Sequence, residues 1–364
     1  MNHNDPALQV LIDRVRSARA AGAQLRIRGG GSKDFYGEVP QGEPLDTRVL
    51  EGTSSYEPTE LVVTTRCGTA LAELEALLAA QGQCLPFEPP HFGSGATVGG
   101  MVAAGLSGPS RASVGSVRDH VLGATLLNGK GEVMTFGGQV MKNVAGYDVS
   151  RLLAGSMGTL GVILEVSLKV LPIAPATLTL RMEMDQARAI AQLNAWGGQP
   201  LPLNASAWWD SNLIVRLRGA LAAVQAARTA IGGQVVEPQY ASPFWAGLRD
   251  HTDEFFTSAH AAVVGGASLW RLSVPSTAAP LALSGELLIE WGGAQRWLCS
   301  AMAPGAVRDA AAKAGGHATL FATSDKSPGA FAPLQSPLDR IHRELKKAFD
   351  PAGIFNPGRL YPGL

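Results

Sequence analysis

Glycine placement constrains this chain more than any other feature. It has 43 glycines in 364 residues, and they cluster before residue 165. Three loops stand out: RGGGS at 28–32, GSGATVGG at 93–100 and GSMGTLG at 155–161. A glycine run gives up side-chain packing and backbone order, but it permits positive φ and lets another group approach the peptide N–H groups. Successive inward N–H groups form an anion nest, and a helix N-terminus adds its dipole. A single loop of this kind is as readily an ordinary tight turn. Three in the first half, each at the end of a strand-like run, point to a ligand with an extended phosphate.

The common phosphate motifs do not match. None of the loops reads GxGxxG, so the dinucleotide fingerprint is missing. GATLLNGKG has the wrong spacing for a P-loop and lacks Ser or Thr after Lys130, which favours a hairpin turn. AGSMG is not GxSxG, so no nucleophile elbow is supported.

Composition excludes several partner classes. Lys plus Arg, 30 residues, equals Asp plus Glu, 30 residues, so no overall basic field holds nucleic acid or anionic lipid. The hydrophobic fraction of 46% and charged fraction of 16% describe a globular chain, long enough for two domains or one elaborated domain. Cys67, Cys84 and Cys299 are scattered and form no CxxC, which argues against a disulfide framework, a structural zinc or an iron–sulfur cluster. A reducing, cytoplasmic setting fits. The N-terminus reads as an amphipathic helix ending at Gly22 rather than a signal peptide. The stretch from Pro89 to Ser110 has no Asp, Glu, Lys or Arg, but its Gly, Ser and Pro make it a loop rather than a membrane span.

Along the chain, QLRIR reads as a strand before the first glycine run, and ELVVTT as a second strand. TALAELEALLAAQGQ has helical leucine spacing and a stop at Gly82. Asn128-Gly129 divides two strand-like runs into a hairpin. DVSRLLAGSMGTLGVILEVSLKVLP gives a short helix, a glycine loop and a long buried strand closed by Pro172. From about Ala174 glycines thin out and tryptophans rise, so a separate α+β domain is expected. A Pro/Ala/Ser-rich stretch ends it near 337, and LDRIHRELKKAF follows as an amphipathic helix. No internal repeat is visible. The expected organisation is α+β, with domains at 1–173 and 174–337 and a segment 338–364 that returns to the first domain.

Four segments in order carry a resemblance: RIRGGGSKDFYG, PFEPPHFGSGATVGGMVAAGLSGPSRASVGSVRDHVLGATLLNGKGEV, GGQVMKNVAGYDVSRLLAGSMGTLGVILEVSLKVLP and FDPAGIFNPGRLYPG. Together they resemble the FAD-binding fold of the vanillyl-alcohol oxidase and p-cresol methylhydroxylase family. Within it, the chain is similar to the FAD-binding subunits of bacterial glycolate oxidase (glycolate dehydrogenase). The resemblance implies a two-subdomain FAD-binding fold with a smaller α+β cap domain.

It also implies a cofactor site. Arg28, Gly29, Gly30, Gly31 and Ser32 match the first pyrophosphate loop. Gly95, Ala96, Thr97, Gly99 and Gly100 match the second, along pyrophosphate and flavin. Gly158, Thr159, Gly161 and Val162 match a segment near the adenosine end, and Asn356 matches an asparagine that returns to the flavin. On this reading backbone donors hold the anion and no basic patch is needed. Gly30→Val or Gly99→Val is then expected to abolish FAD binding while much of the fold survives. Many relatives attach flavin through a histidine after the paired glycines; Gly31 or Ser32 stands there, so FAD is expected to be non-covalent. The HxGDGN-like cap segment of hydroxyacid-oxidising relatives is missing, and no metal site is expected.

The resemblance implies oxidation of glycolate or a similar small 2-hydroxyacid, with hydride passing to flavin. Electrons would leave through partners: a sister FAD-linked hydroxyacid-oxidising subunit and an iron–sulfur subunit, which would also supply any membrane association. Two alternatives stay open: a self-sufficient FAD-dependent oxidoreductase, and an assembly subunit with a degenerate flavin site. No catalytic residue is assigned; Arg118, Lys142 and Tyr147 are candidates. Lys142, Tyr147 and Asp148 could line the flavin or fix the loop before a helix, with Asp148 as an N-cap. Arg111 could bind a carboxylate or form a surface ion pair. Trp208, Trp209, Trp245, Trp270, Trp291 and Trp297 read as cap core or subunit contact.

Overall fold

A computed structural model describes residues 5–138 and 148–364. The chain divides into two units. One is Met1–Leu106, Ser116–Ile173 and Pro333–Leu364; the other is Ser107–Gly115 and Ala174–Ala332.

In the first unit, helix α1 (Pro6–Ala21) starts where Asp5 accepts from the Ala7 N–H at 2.9 Å and stops at the left-handed Gly22. Leu8, Leu11, Ile12 and Val15 recur at helical spacing and are buried. Strand β1 (Leu25–Arg28) pairs in parallel with β2 (Glu43–Asp46). Strands β3 (Thr53–Glu57) and β4 (Val62–Arg66) precede α2 (Leu71–Ala79) and α3 (Val98–Ala104), followed by β5 (Val121–Leu127), β6 (Val133–Gly137) and β7 (Val162–Lys169). They form an antiparallel sheet of order β3-β4-β7-β5-β6. β7 is buried from Val162 to Leu168, because it lies at the centre of the sheet with both faces covered.

Two local expectations change. The stretch 89–110 contains α3, whose Thr97 cap accepts from Gly100 N–H at 3.2 Å and which ends at left-handed Gly105. The β5–β6 turn spans Asn128–Glu132 rather than Asn-Gly alone. Asn128 Oδ1 accepts from the N–H groups of Lys130 at 2.9 Å and Glu132 at 3.0 Å.

The second unit runs β8 (Ala176–Glu183), α4 (Gln186–Gly197), β9 (Leu203–Trp209), β10 (Asn212–Gly219), α5 (Leu221–Ile231), β11 (Gln234–Val236), α6 (Pro238–Asp250) and α7 (Glu254–Val264). It continues through β12 (Ser268–Ser273), β13 (Glu286–Glu290), β14 (Gln295–Ser300), α8 (Pro304–Lys313) and β15 (His317–Ala322). Its antiparallel sheet has the order β11-β8-β10-β9-β13-β14-β12-β15. Each half therefore has its own four strands in the order 4-1-3-2, the ferredoxin-like arrangement. The halves meet at β9 and β13, through Ala207↔Glu290 and Trp208↔Ile289. In the second half an irregular segment, 274–285, stands in place of the first helix. The sequence shows no repeat because strand alternation and hydrogen-bond topology are met by unrelated residues in each half. Two cores result: Leu180, Leu213, Val215 and Leu193 under α4 and α5, and Trp270, Leu272, Leu298 and Val307 under α8.

The tryptophans belong largely to these cores. Trp196, Trp245, Trp270 and Trp297 are buried. Trp208 Nε1 donates to Met184 O at 2.9 Å and Trp291 Nε1 to Gly108 O at 3.1 Å. Segment 107–115 is held in this unit by that bond, by Ser113 Oγ donating to Asn204 O at 2.9 Å, and by the Arg111 guanidinium lying 4.7 Å from the centre of the Trp291 ring. After the second unit, α9 (Leu338–Phe349) and the tail belong to the first.

Candidate cofactor site

The candidate site is a cleft in the first unit, beginning where β1 ends. Its floor is the loop Gly29–Ser32, and the N–H groups of Gly30, Gly31 and Ser32 donate to no backbone acceptor among the described residues. The facing wall is α3, which presents Gly100, Ala103 and Ala104. Small residues at i, i+3 and i+4 give a flat helix face that a large ligand can approach closely. Thr97, Met157 and Asn356 close the cleft.

Four cations surround it: Arg26, Arg28, Lys33 and Arg359. Arg28 Nε pairs with Asp34 at 2.9 Å. Lys33 Nζ donates to His91 O at 3.3 Å and sits 5.5 Å from the Phe92 ring centre. Arg359 is buried and donates to the carbonyls of Glu38, Lys33 and Asp34; burial pulls its pKa down to about 10. Arg26 Nε is buried and meets no acceptor among the described residues. A chain of zero net charge still concentrates guanidinium and ammonium groups at this loop. Unused N–H donors, an orphaned buried guanidinium nitrogen and a glycine–alanine wall fit a diphosphate-bearing cofactor.

The glycines divide by what they face. A Cβ on Gly30 would overlap the carbonyl of Gly95, so these two loops touch backbone to backbone. A Cβ on Gly99 would lie 2.6 Å from Cys67 Cβ, where Gly99 N–H donates to Cys67 O at 2.8 Å. Both glycines serve chain packing, so a branched residue at either would disrupt the fold, contrary to the sequence expectation. The first N–H groups of α3 are also satisfied internally: Val98 by Thr69 O at 3.0 Å, Gly99 by Cys67 O, and Gly100 by Thr97 Oγ1. Ala96 is buried, and its carbonyl accepts from Leu71 N–H at 2.8 Å.

The third segment lies behind the cleft. Thr159 Oγ1 donates to Ser156 O at 2.8 Å, a Cβ on Gly161 would press on Leu127 O, and Val162 begins β7. Gly158 has φ 72, and a Cβ there would lie 2.6 Å from Asn356 Nδ2. Only Met157 of this loop lines the cleft. Asn356 is buried at φ 41; its Oδ1 accepts from Ile27 N–H at 2.7 Å and its Nδ2 donates to Met157 O at 2.6 Å. It joins β1, the third loop and the C-terminal tail at the edge of the cleft. Lys346 reinforces the same junction: its Nζ donates to Thr159 O at 2.8 Å, Asp350 Oδ2 at 2.7 Å and Phe355 O at 2.6 Å.

Among the catalytic candidates, Arg118 is exposed on the short helix Val117–His120 and does not line the cleft. Asp119 accepts from Ser116 N–H and Oγ, closing a capping box there. Lys142 and Tyr147 lie outside the described residues. Asp148 accepts from Ser150 Oγ at 2.8 Å and pairs with Arg151, fixing the turn at Ser150–Leu153. Among the described residues no cluster of His, Cys, Asp and Glu could hold a metal ion, and no helix is long and apolar enough to cross a membrane. Arg26, Lys33 and Arg359 escaped the sequence reading, although all three lie in or beside the quoted motifs RIRGGGSK and NPGRL.

The sequence family described as FAD binding domain matches residues 8–137. Alkyldihydroxyacetonephosphate synthase shares the fold, with a TM-score of 0.66 at 15% identity over 96% of this chain and 74% of that one. The protein is thus an FAD-binding protein with the p-cresol methylhydroxylase type of fold. Glycolate oxidase subunit GlcE of Escherichia coli K12 is 47% identical over 98% of both chains. This chain belongs to the glycolate oxidase subunit GlcE family. Glycolate oxidase subunit GlcD of Bacillus subtilis is 30% identical over 45% of this chain and 35% of its own length.

Proposed function

We propose that this chain is the FAD-binding subunit of a complex that oxidises glycolate, or a close 2-hydroxyacid, to the 2-oxoacid. The near full-length identity to a glycolate oxidase subunit carries this reading, and the cleft supplies its physical basis. The N–H groups of Gly30–Ser32 with Arg26, Arg28 and Lys33 hold the diphosphate. The Gly100–Ala103–Ala104 face lets the rest of the cofactor lie close. FAD is held without a covalent bond, since no histidine stands in the Arg28–Lys33 loop. When bound, it supplies a two-electron acceptor for hydroxyl-to-carbonyl oxidation.

Electrons leave through an iron–sulfur partner, because three scattered cysteines do not supply the four thiolates of a common cluster. A sister flavoprotein subunit supplies the substrate-binding groups that this chain's second unit lacks in sequence. The test is glycolate-driven dye reduction by the flavin-loaded chain alone and by the reconstituted complex, at equal flavin. Turnover confined to the complex is expected; equal turnover in both samples would reject the complex-subunit reading.

A further inference from the structure

The second unit carries a groove that the cofactor site does not use. Strands β8, β9 and β10 turn one face towards α4 and α5. On the other face, under α6 and the start of α7, lies a groove of about 650 Å³. Trp209, Tyr240 and Phe244 line it, with Ile214 and Val236 between them. Four carboxylates also line it: Asp210, Glu237, Asp253 and Glu254. Arg181 is the one basic lining residue, and its Nε already donates to Asn212 Oδ1 at 2.8 Å.

Aromatic faces bordered by carboxylates attract cations, since ring quadrupole and charge act in the same direction. The same carboxylates oppose entry of a 2-hydroxyacid anion, so this is not a substrate pocket. Tyr240 is 66% exposed at the rim. An aromatic centre ringed by charge is the anatomy of a protein-interface anchor point.

The geometry points to this groove as the seat of a basic segment of a companion subunit, which lays a lysine or arginine side chain over the aromatic rings between the carboxylates. The inference rests on the reading of the chain as a complex subunit. Asp253 lies at the same groove, where its carboxylate accepts from the Phe256 N–H at 3.2 Å and caps α7.

The test uses the full chain, flavin-loaded and co-purified with its companion flavoprotein and iron–sulfur subunits. Glu237→Lys with Glu254→Lys reverses charge at two exposed positions, and Glu237 makes no side-chain cap bond at the start of α6. We expect at least about tenfold weaker assembly, read by titration of the companion subunits, with flavin content unchanged and the isolated chain still folded, its melting lowered only modestly by lysines at two helix N-termini. Tyr240→Ala is expected to weaken assembly in the same direction. Variants that assemble with wild-type affinity overturn the groove assignment alone, as does an effect on self-association only. A wild-type chain that forms no complex overturns this inference together with the complex-subunit reading.

Discussion

Lys346 Nζ donates to the Thr159 carbonyl at 2.8 Å, across 187 residues of sequence. The contact fixes the third glycine loop to the C-terminal helix. Burial pulls the Lys346 ammonium below its usual pKa, and Asp350 pulls it back. Asp350 in turn accepts from the N–H groups of Ile354 at 3.1 Å and Phe355 at 2.8 Å. Lys346→Met leaves a fully buried carboxylate without its counter-charge. The expected loss is about 3–5 kcal/mol of stability, measured by urea denaturation of the apo-protein. A loss under about 1 kcal/mol would mean that the tail is held elsewhere.

Gly100 and Gly30 separate cofactor space from chain space. Gly100→Leu adds a side chain on the cleft wall, where the nearest neighbour of a Cβ is Thr97 Oγ1 at 3.1 Å. Folded protein with at least about tenfold weaker FAD binding is expected, read by flavin fluorescence and circular dichroism. Gly30→Val collides with the Gly95 carbonyl and should fail to give folded protein. Full flavin occupancy in Gly100→Leu would remove α3 from the site.

Acid or heat precipitation should release all of the flavin into the supernatant, because no histidine occupies the loop Arg28–Lys33. Yellow colour retained by the washed precipitate would show a covalent bond.

Acid should weaken the second unit. His251 stacks on Phe256 at 3.6 Å and meets Trp297 edge-on at 4.7 Å, and burial holds its pKa well below the ordinary 6.5, helped by His260 and Arg271. The folded state favours the neutral ring, so the unfolded chain binds more protons below about 6.5. The contribution is fully present above that pH and is lost as pH falls towards the folded pKa. Asp253, raised to about 6, acts in the opposite sense between about 6 and its ordinary 3.8. His260 and His317, also lowered by burial, act with His251. His251→Asn keeps a residue tolerant of φ 56 and should flatten the acid limb between about pH 5 and 7. Unchanged curvature in urea titrations across that range would show that His251 does not set it.

Much of the fold was legible where one residue pattern has one physical solution. Leu8, Leu11, Ile12 and Val15 permit only an amphipathic helix, and VILEVSLK reads as a buried strand. The first glycine loop was legible as a loop that lines a cleft because it follows a strand. Gly30 and Gly99 were misread, because a glycine that admits a ligand and one that admits another strand of backbone look alike in sequence. The cations Arg26 and Arg359 were missed because a balanced charge count conceals local concentration. The paired halves of the second sheet were invisible, since a topology repeats there without any residue repeating.

Ile27 and Asn356 share a hydrogen bond although 329 residues separate them. A ribosome adding about 5–20 residues per second delivers Asn356 roughly 15–65 seconds after Ile27. Most of the second unit emerges in that interval, while the cofactor cleft still lacks one wall. The first unit is therefore completed only after the second has been synthesised, and the cofactor cleft with it.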